Sequence, residues 1–213
     1  SVLDYAVVLI SGTDGVQPHT ETIWKLLELY HIPAFIFVNK MDISHLTQAQ
    51  LEEELCRRLD EHCVSFMQDG AARDEAAALC DDAALNEYME HGSLGDETLR
   101  RLVRERKLFP CVFGSALKME QVGRLLDVMD QCTEAKTYPE EFGARVYKVS
   151  QDEHGSRLTH LKVTGGTLKV RTKLYQEEKA DQLRRYCGGK YTLVNEVHAG
   201  EVCAVKGIRS LVP

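Results

Sequence analysis

Three short apolar runs, at residues 6–10, 34–38 and 111–113, stand out in the first part of the chain. Each is too short for a helix and none alternates, which is the pattern of strands buried on both faces of a parallel sheet. Helical spacing occupies the stretches between them. Pro18 suits the first turn of a helix whose Ile23, Leu26, Leu27 and Tyr30 share one face. Thr47 and Gln50 have capping-box spacing ahead of Leu51, Leu55 and Leu59. The pattern predicts further helices over 81–90, 96–107 and 121–132. Alternation of strand and helix reads as a doubly wound α/β domain.

Between Asp42 and Gly114 lie 71 residues, too many for a simple crossover. We read about 44–108 as a helical insertion, with its acidic clusters on a solvated face. From residue 137 onward the pattern changes to short alternating segments at 144–149, 158–163, 168–174 and 201–205. Turn signals separate them at 152–155, 165–166 and 188–189. Such a pattern predicts a small antiparallel β-barrel over 139–213, following an α/β domain over 1–138. Charge divides the same way. Residues 139–213 carry 13 Lys+Arg and 9 Asp+Glu, a net of +4, while the rest carries 13 and 24, a net of −11.

Composition removes several classes of protein. No run approaches the roughly 20 apolar residues of a membrane helix. The 7 cysteines are odd in number and lack Cys-x-x-Cys spacing, and the 8 histidines form no His-Glu-x-x-His pattern. A disulfide framework and a zinc site are both disfavoured, and reduced, cytosolic thiols are expected. The chain begins without Met and runs at once into its first apolar segment, so we expect a piece of a longer protein.

Asn39-Lys40-Met41-Asp42 directly follows the second apolar run, where an open α/β sheet binds ligands. A carboxylate at Asp42 can accept two parallel hydrogen bonds from guanine N1–H and its exocyclic amine. Adenine offers no such pair. Asn39 can donate to the base N7, and the Lys40 stem can lie along base and ribose. Gly114-Ser115-Ala116 follows the third run, where the Ala116 N–H can reach guanine O6 and Ser115 can brace the loop. Either motif alone is a common turn. Their joint placement at strand ends, in this order, points to guanine.

With these stand Val2-Leu3-Asp4-Tyr5-Ala6, Asp14-Gly15-Val16-Gln17-Pro18-His19-Thr20-Glu21-Thr22, Leu117-Lys118, Thr164-Gly165-Gly166 and Ala199-Gly200-Glu201. Together the pieces resemble translational GTPases of the elongation factor G group over essentially the whole chain. The length of the insertion, and Leu85-Asn86-Glu87-Tyr88-Met89 leading to Leu108-Phe109-Pro110, resemble the tetracycline-resistance ribosomal protection proteins more closely. In the barrel, the group's Gly-Asp is replaced by Arg171-Thr172.

The resemblance implies a partial P-loop GTPase domain, with a parallel sheet and helical insertion, followed by a small antiparallel β-barrel. It implies GTP or GDP held at the base by Asn39, Lys40, Asp42, Ser115, Ala116 and Leu117. It also implies a cytoplasmic protein partnered by ribosomal RNA and proteins, with no membrane or DNA. Lys162, Lys169, Arg171, Lys173, Arg184 and Arg185 are the expected RNA-facing positives. The chain carries no Gly-x-x-x-x-Gly-Lys-[Ser/Thr] loop and no Asp-x-Pro-Gly-His segment. Phosphate cradle, magnesium ligands and catalytic residues are therefore not expected within it, and His19 reads as a surface residue at a helix start. The parent would be a GTPase and this portion alone inactive. Alternatives are elongation factor G or a paralogue acting in translocation, a non-catalytic ribosome-interaction module, and a non-translational GTPase. The barrel disfavours the last.

Overall fold

A computed structural model describes residues 2–174, 178–208 and 210–211. The chain folds as two compact units, one over Leu3–Glu134 and one made of Ser1–Val2 with Ala135–Pro213. Pro213, near which a closing barrel strand was expected to be wanting, lies outside the described residues.

In the first unit four parallel strands form one sheet. They are β1 (Ala6–Ser11), β2 (Ala34–Asn39), β3 (Cys63–Ser65) and β4 (Phe109–Phe113), in the spatial order β1-β2-β4-β3. Alternate residues of β2 enter different cores, which is why the run is apolar without alternation. Ala34, Ile36 and Val38 pack with Trp24 and Leu27 of α1 (Pro18–Leu29) and with Leu51 and Leu55 of α2 (Gln48–Arg58). Phe35 and Phe37 pack on the opposite face. There they meet α3 (Ala71–Ala78), α4 (Asp82–His91), α5 (Asp96–Arg104) and α6 (Val122–Cys132) through Ala77, Ala84, Leu99, Leu102 and Val128. Helices on both faces make the doubly wound architecture that the sequence predicts.

Three details differ from the sequence reading. The stretch expected to be a helical insertion also contains β3, paired to β4 with Cys63 opposite Phe109. It contains α3 as well, which begins after Gly70 without a side-chain cap. In α1 the buried face is Trp24 and Leu27, whereas Ile23, Leu26 and Tyr30 are exposed. Trp24 turns the helix, because its ring meets Phe109 edge-on at 4.7 Å and carries the Arg106 guanidinium 5.3 Å from its centroid. At the sheet's end, β1 leaves Val7 and Leu9 38% and 66% exposed. The capping box is formed, with Thr47 accepting from the Gln50 amide and the Gln50 side chain accepting from the Thr47 amide.

The second unit is antiparallel. A five-stranded sheet runs in the order β5 (Gly143–Gln151), β6 (Arg157–Gly165), β11 (Val202–Lys206), β8 (Gln182–Cys187), β9 (Lys190–Val194). β7 (Thr167–Lys169) pairs with β10 (Glu196–His198) as a second ladder. Leu161, Val163, Leu183, Cys203 and Val205 share one core with Leu168 and Val197, so the two ladders close over the same interior. Of the expected segment 168–174 only the first residues are strand. Arg171 turns the chain with φ 69°, a left-handed conformation that glycine adopts without strain.

Asp81 ties the helical layer together. It caps α4, and its carboxylate meets Lys107 Nζ at 2.6 Å and an Arg101 guanidinium nitrogen at 2.8 Å. Those two cations, Lys107 foremost, hold its pKa far below the usual carboxylate range. Its stabilisation is therefore complete above the unfolded pKa, about 3.9, and fades as pH falls towards the folded value. Asp81→Asn should lower the urea midpoint of this unit at pH 7. Its difference from the unsubstituted chain should shrink steadily as titrations are repeated from pH 4 downward.

Candidate functional site

β2 and β4 are adjacent strands with Val38 opposite Phe113, so the residues that follow them leave the same edge side by side. At that edge the Met41 amide donates to the Gly114 carbonyl at 3.1 Å. The Asn39 side chain makes the second tie. Its Oδ1 accepts from the Lys40 amide and from the Ala116 amide, both at 2.8 Å. Lys40 reverses the chain in the left-handed region, φ 64°, ahead of a single 3₁₀ turn at Met41–Ile43.

Asp42 sits on that turn with its side chain 13% exposed. The Ser115 hydroxyl and the Lys118 ammonium hold its carboxyl below the usual range, Lys118 Nζ lying 3.2 Å from Oδ2. Ser115 is itself buried, and a reciprocal pair of backbone bonds with Glu120 closes the loop, at 3.1 and 2.9 Å. Gly114 permits this closure. A Cβ there would stand 2.3 Å from the Glu120 carbonyl oxygen, and that oxygen belongs to backbone that cannot step aside. Leu117, at the loop tip, is 94% exposed.

The structure therefore brings Asn39, Asp42, Ser115 and Ala116 into one hydrogen-bonded cluster, with exposed Lys40 and Leu117 at its margin. Two further features were not picked out as site residues from sequence. Lys118 rests on Asp42, and Asp14, after β1, is held ionised by the Ser11 and Thr13 hydroxyls with Lys40 nearby. The signals available for Asp14 were its strand-end position and its place in the family-like segment 14–22. His19 is exposed on the first turn of α1. No group of three or more His, Cys, Asp or Glu among the described residues is arranged to hold a metal ion.

Two of the expected RNA-facing positives are not exposed. Lys162 and Arg184 are each 5% exposed, with Lys162 bonded to the Val2 carbonyl and Arg184 to Asp152. Arg185 pairs with Glu201 at 2.6 Å. Each gains a local partner because the β-domain's strands place acceptors beside it.

A doubly wound α/β unit with a tied pair of strand-end loops, followed by an antiparallel β unit, defines the class of α/β-domain proteins with an appended β domain. Within that class, the model of the elongation factor Tu GTP binding domain matches residues 1–135, and the chain belongs to that family. Elongation factor G of Ureaplasma parvum serovar 3 is 24% identical over 282 aligned positions, covering 98% of this chain and 41% of its own length. Elongation factor G 1 of Geobacter sulfurreducens is 28% identical over 287, covering 99% and 41%. The crystal structure of ttk003000868 from Thermus thermophilus superposes with a TM-score of 0.76 at 21% identity, over 98% of this chain and 39% of that one. The chain thus spans about two fifths of the length of these relatives.

The tie between loops has a measurable consequence. Asn39→Ala leaves two amides without their acceptor and should cost about 1–3 kcal/mol. The Ala116 amide, protected in the unsubstituted chain, should then exchange its hydrogen faster while amides of β6 keep their rates.

Proposed function

We propose that this chain is the guanine-reading portion, with the following β-domain, of a ribosome-associated translational GTPase. The observation that carries the reading is the Asn39 bridge to the Ala116 amide, which draws Asp42 and the Ser115 loop into one cluster. In that cluster Asp42, ionised at neutral pH, accepts from guanine N1–H and the exocyclic amine. Lys40 and Leu117 flank the base, and Asn39 fixes the loops and reaches N7 with its side-chain amide N–H, while the Ala116 amide, expected at O6, is held by Asn39 Oδ1 and has to leave it to donate to the base. Family membership supports a guanine nucleotide as the ligand, and the elongation factor G relatives support the ribosome as partner.

Hydrolysis needs groups that stabilise charge on the transferring phosphoryl, and magnesium supplies part of that charge when bound in such GTPases. With no phosphate-loop motif in the sequence, this chain by itself binds the base and performs no phosphoryl transfer.

A finer reading makes the parent a ribosomal protection protein of tetracycline resistance, with an elongation factor acting in translocation as the alternative. Its support is the short stretch between the two loops. The alignments run over 282 and 287 positions against 213 residues here, so the relatives carry residues that this chain lacks. Tetracycline tolerance conferred by the complete reading frame in a sensitive host separates the two.

For the base-reading role, GDP at millimolar concentration should move the amide resonances of Asn39, Asp42, Ser115 and Ala116, and ADP should not. Asp42→Asn should reverse the preference towards xanthosine diphosphate, since an amide donates where the 2-oxo group accepts. Equal responses to GDP and ADP would sink the assignment, and so would GTP hydrolysis by the purified chain.

A further inference from the structure

β3 ends the sheet order β1-β2-β4-β3, so one of its edges has no strand beside it among the described residues. The Phe109 amide donates to the His62 carbonyl at 3.0 Å and the Phe66 amide to the Cys111 carbonyl at 2.8 Å. In a parallel ladder alternate residues of a strand serve one neighbour. His62, Val64 and Phe66 therefore face β4, and the main chain of Cys63 and Ser65 turns outward. Cys63 is already satisfied, its amide by the Asp60 carbonyl at 3.2 Å and its carbonyl by the Cys56 thiol at 3.4 Å. The Ser65 amide and carbonyl are what this edge still offers.

Ser65 lines a cleft of about 1010 Å³ whose two walls come from opposite faces of the sheet. α2, packed on one face through Leu51 and Leu55, contributes Glu52, Glu53 and Cys56. α3, packed on the other through Ala77 and Ala78, contributes Ala72, Ala76 and Leu79, the last 69% exposed. Glu61 stands on the turn into β3. Glu52, Glu53 and Glu61 enter no ion pair among the described residues. The one Lys or Arg lining the cleft is Arg73, which is held by Asp69 and the buried Asp74, with Arg124 also on Asp69. His62 turns to Asp60 at 3.4 Å. Burial foremost, then Cys63 and Glu52, pushes up the Cys56 thiol, and burial with Asp60 takes that of Cys80 to about 12. Both thiols stay protonated at pH 7, and the three glutamates are the charge that nothing in the cleft answers.

An open sheet edge accepts an extended chain, whose successive side chains point to opposite faces. Every second side chain then meets the carboxylates of α2, and those between meet the apolar flank of α3. A second copy brings the same carboxylates to the same place, and a nucleic acid brings phosphates, so like charge rejects both. We propose that this cleft docks an extended segment of a partner protein in which Lys or Arg alternates with apolar residues. Its cations meet Glu52, Glu53 and Glu61, its apolar side chains cover Ala72, Ala76 and Leu79, and its main chain bonds to Ser65. Because β3 is only 3 residues long, the ladder is short and the side chains carry most of the affinity. This docking does not rest on the guanine reading.

The test is fluorescence anisotropy of a fluorescein-labelled peptide of four Lys-Val repeats titrated with the 213-residue chain at low salt. That peptide should bind, four Glu-Val repeats should not, and four lysines followed by four valines should bind more weakly. Ser65→Pro removes an amide that makes no bond to β4 and should weaken binding about 2- to 12-fold, the range of one main-chain hydrogen bond, whereas Ser65→Ala should not. Glu53→Lys, an exposed change, should weaken it up to about fivefold and flatten its salt dependence. In the unsubstituted chain, saturating Lys-Val peptide should slow hydrogen exchange at the Ser65 amide. The inference is overturned if the folded chain binds no Lys-Val peptide, if the Glu-Val or block-ordered peptide binds as well, or if natively folded Ser65→Pro and Glu53→Lys both bind undiminished. It is also overturned if exchange at Ser65 is unaltered at saturation. A dimer that Ser65→Pro dissociates would give the cleft to a second copy, and oligouridylate that itself slows Ser65 exchange would give it to nucleic acid; either result overturns the proposal.

Discussion

Everything at the candidate site follows from two strands being neighbours in space although 69 residues lie between them in sequence. Once Val38 stands opposite Phe113, the chain emerging from β2 and the chain emerging from β4 have to share one small volume. A single side-chain oxygen then organises both loops. Asn39 Oδ1 is the acceptor for an amide in each, so neither loop reaches its conformation without the other. Gly114 serves the same end sterically, since its missing Cβ is what lets the Glu120 carbonyl come close enough to close the turn. Asp42 is consequently held by groups from the far loop, Ser115 and Lys118, and its orientation is a property of the pair of loops.

How much of this could be read in the sequence depended on how physical each signal was. β2 was plain because burial on both faces demands an uninterrupted apolar run. The α2 start was plain because a capping box is a local code satisfied within four residues. β3 was invisible, as Cys63–Ser65 is too short to show any period, and it exists through its partner β4. α3 was missed because it is short, alanine-rich and starts at a glycine. The rotation of α1 was misread because Ile23, Leu26 and Tyr30 look like a core face. The edge-on contact of Trp24 with Phe109 overrules them. At the site, residue types at strand ends gave the cluster's membership. The Lys118–Asp42 pair lay beyond reach, since it depends on a turn whose closure only the folded chain reveals.

The β-domain illustrates a related limit. β8 and β9 went unread since their alternation places arginine and tyrosine, and not serine or glutamate, on the outward side, which blurs the inward period of Leu183 and Val194. The feature that hid the strands from a hydrophobicity pattern is the one that gives their outer face its chemical character. Counting positive residues along the sequence was equally misleading: Lys162 and Arg184 are part of the fold's support, and exposed Lys148 is absent from the expected set.

The position of β1 at the end of its sheet has a consequence for the chain in solution. Its outer backbone edge has no strand beside it among the described residues, and Val7 and Leu9 stand open in a segment free of charge and proline. Such an edge is a template on which a second copy can pair. Were a second copy to pair there, the share of monomer would fall as the sample is concentrated, and dilution would restore it.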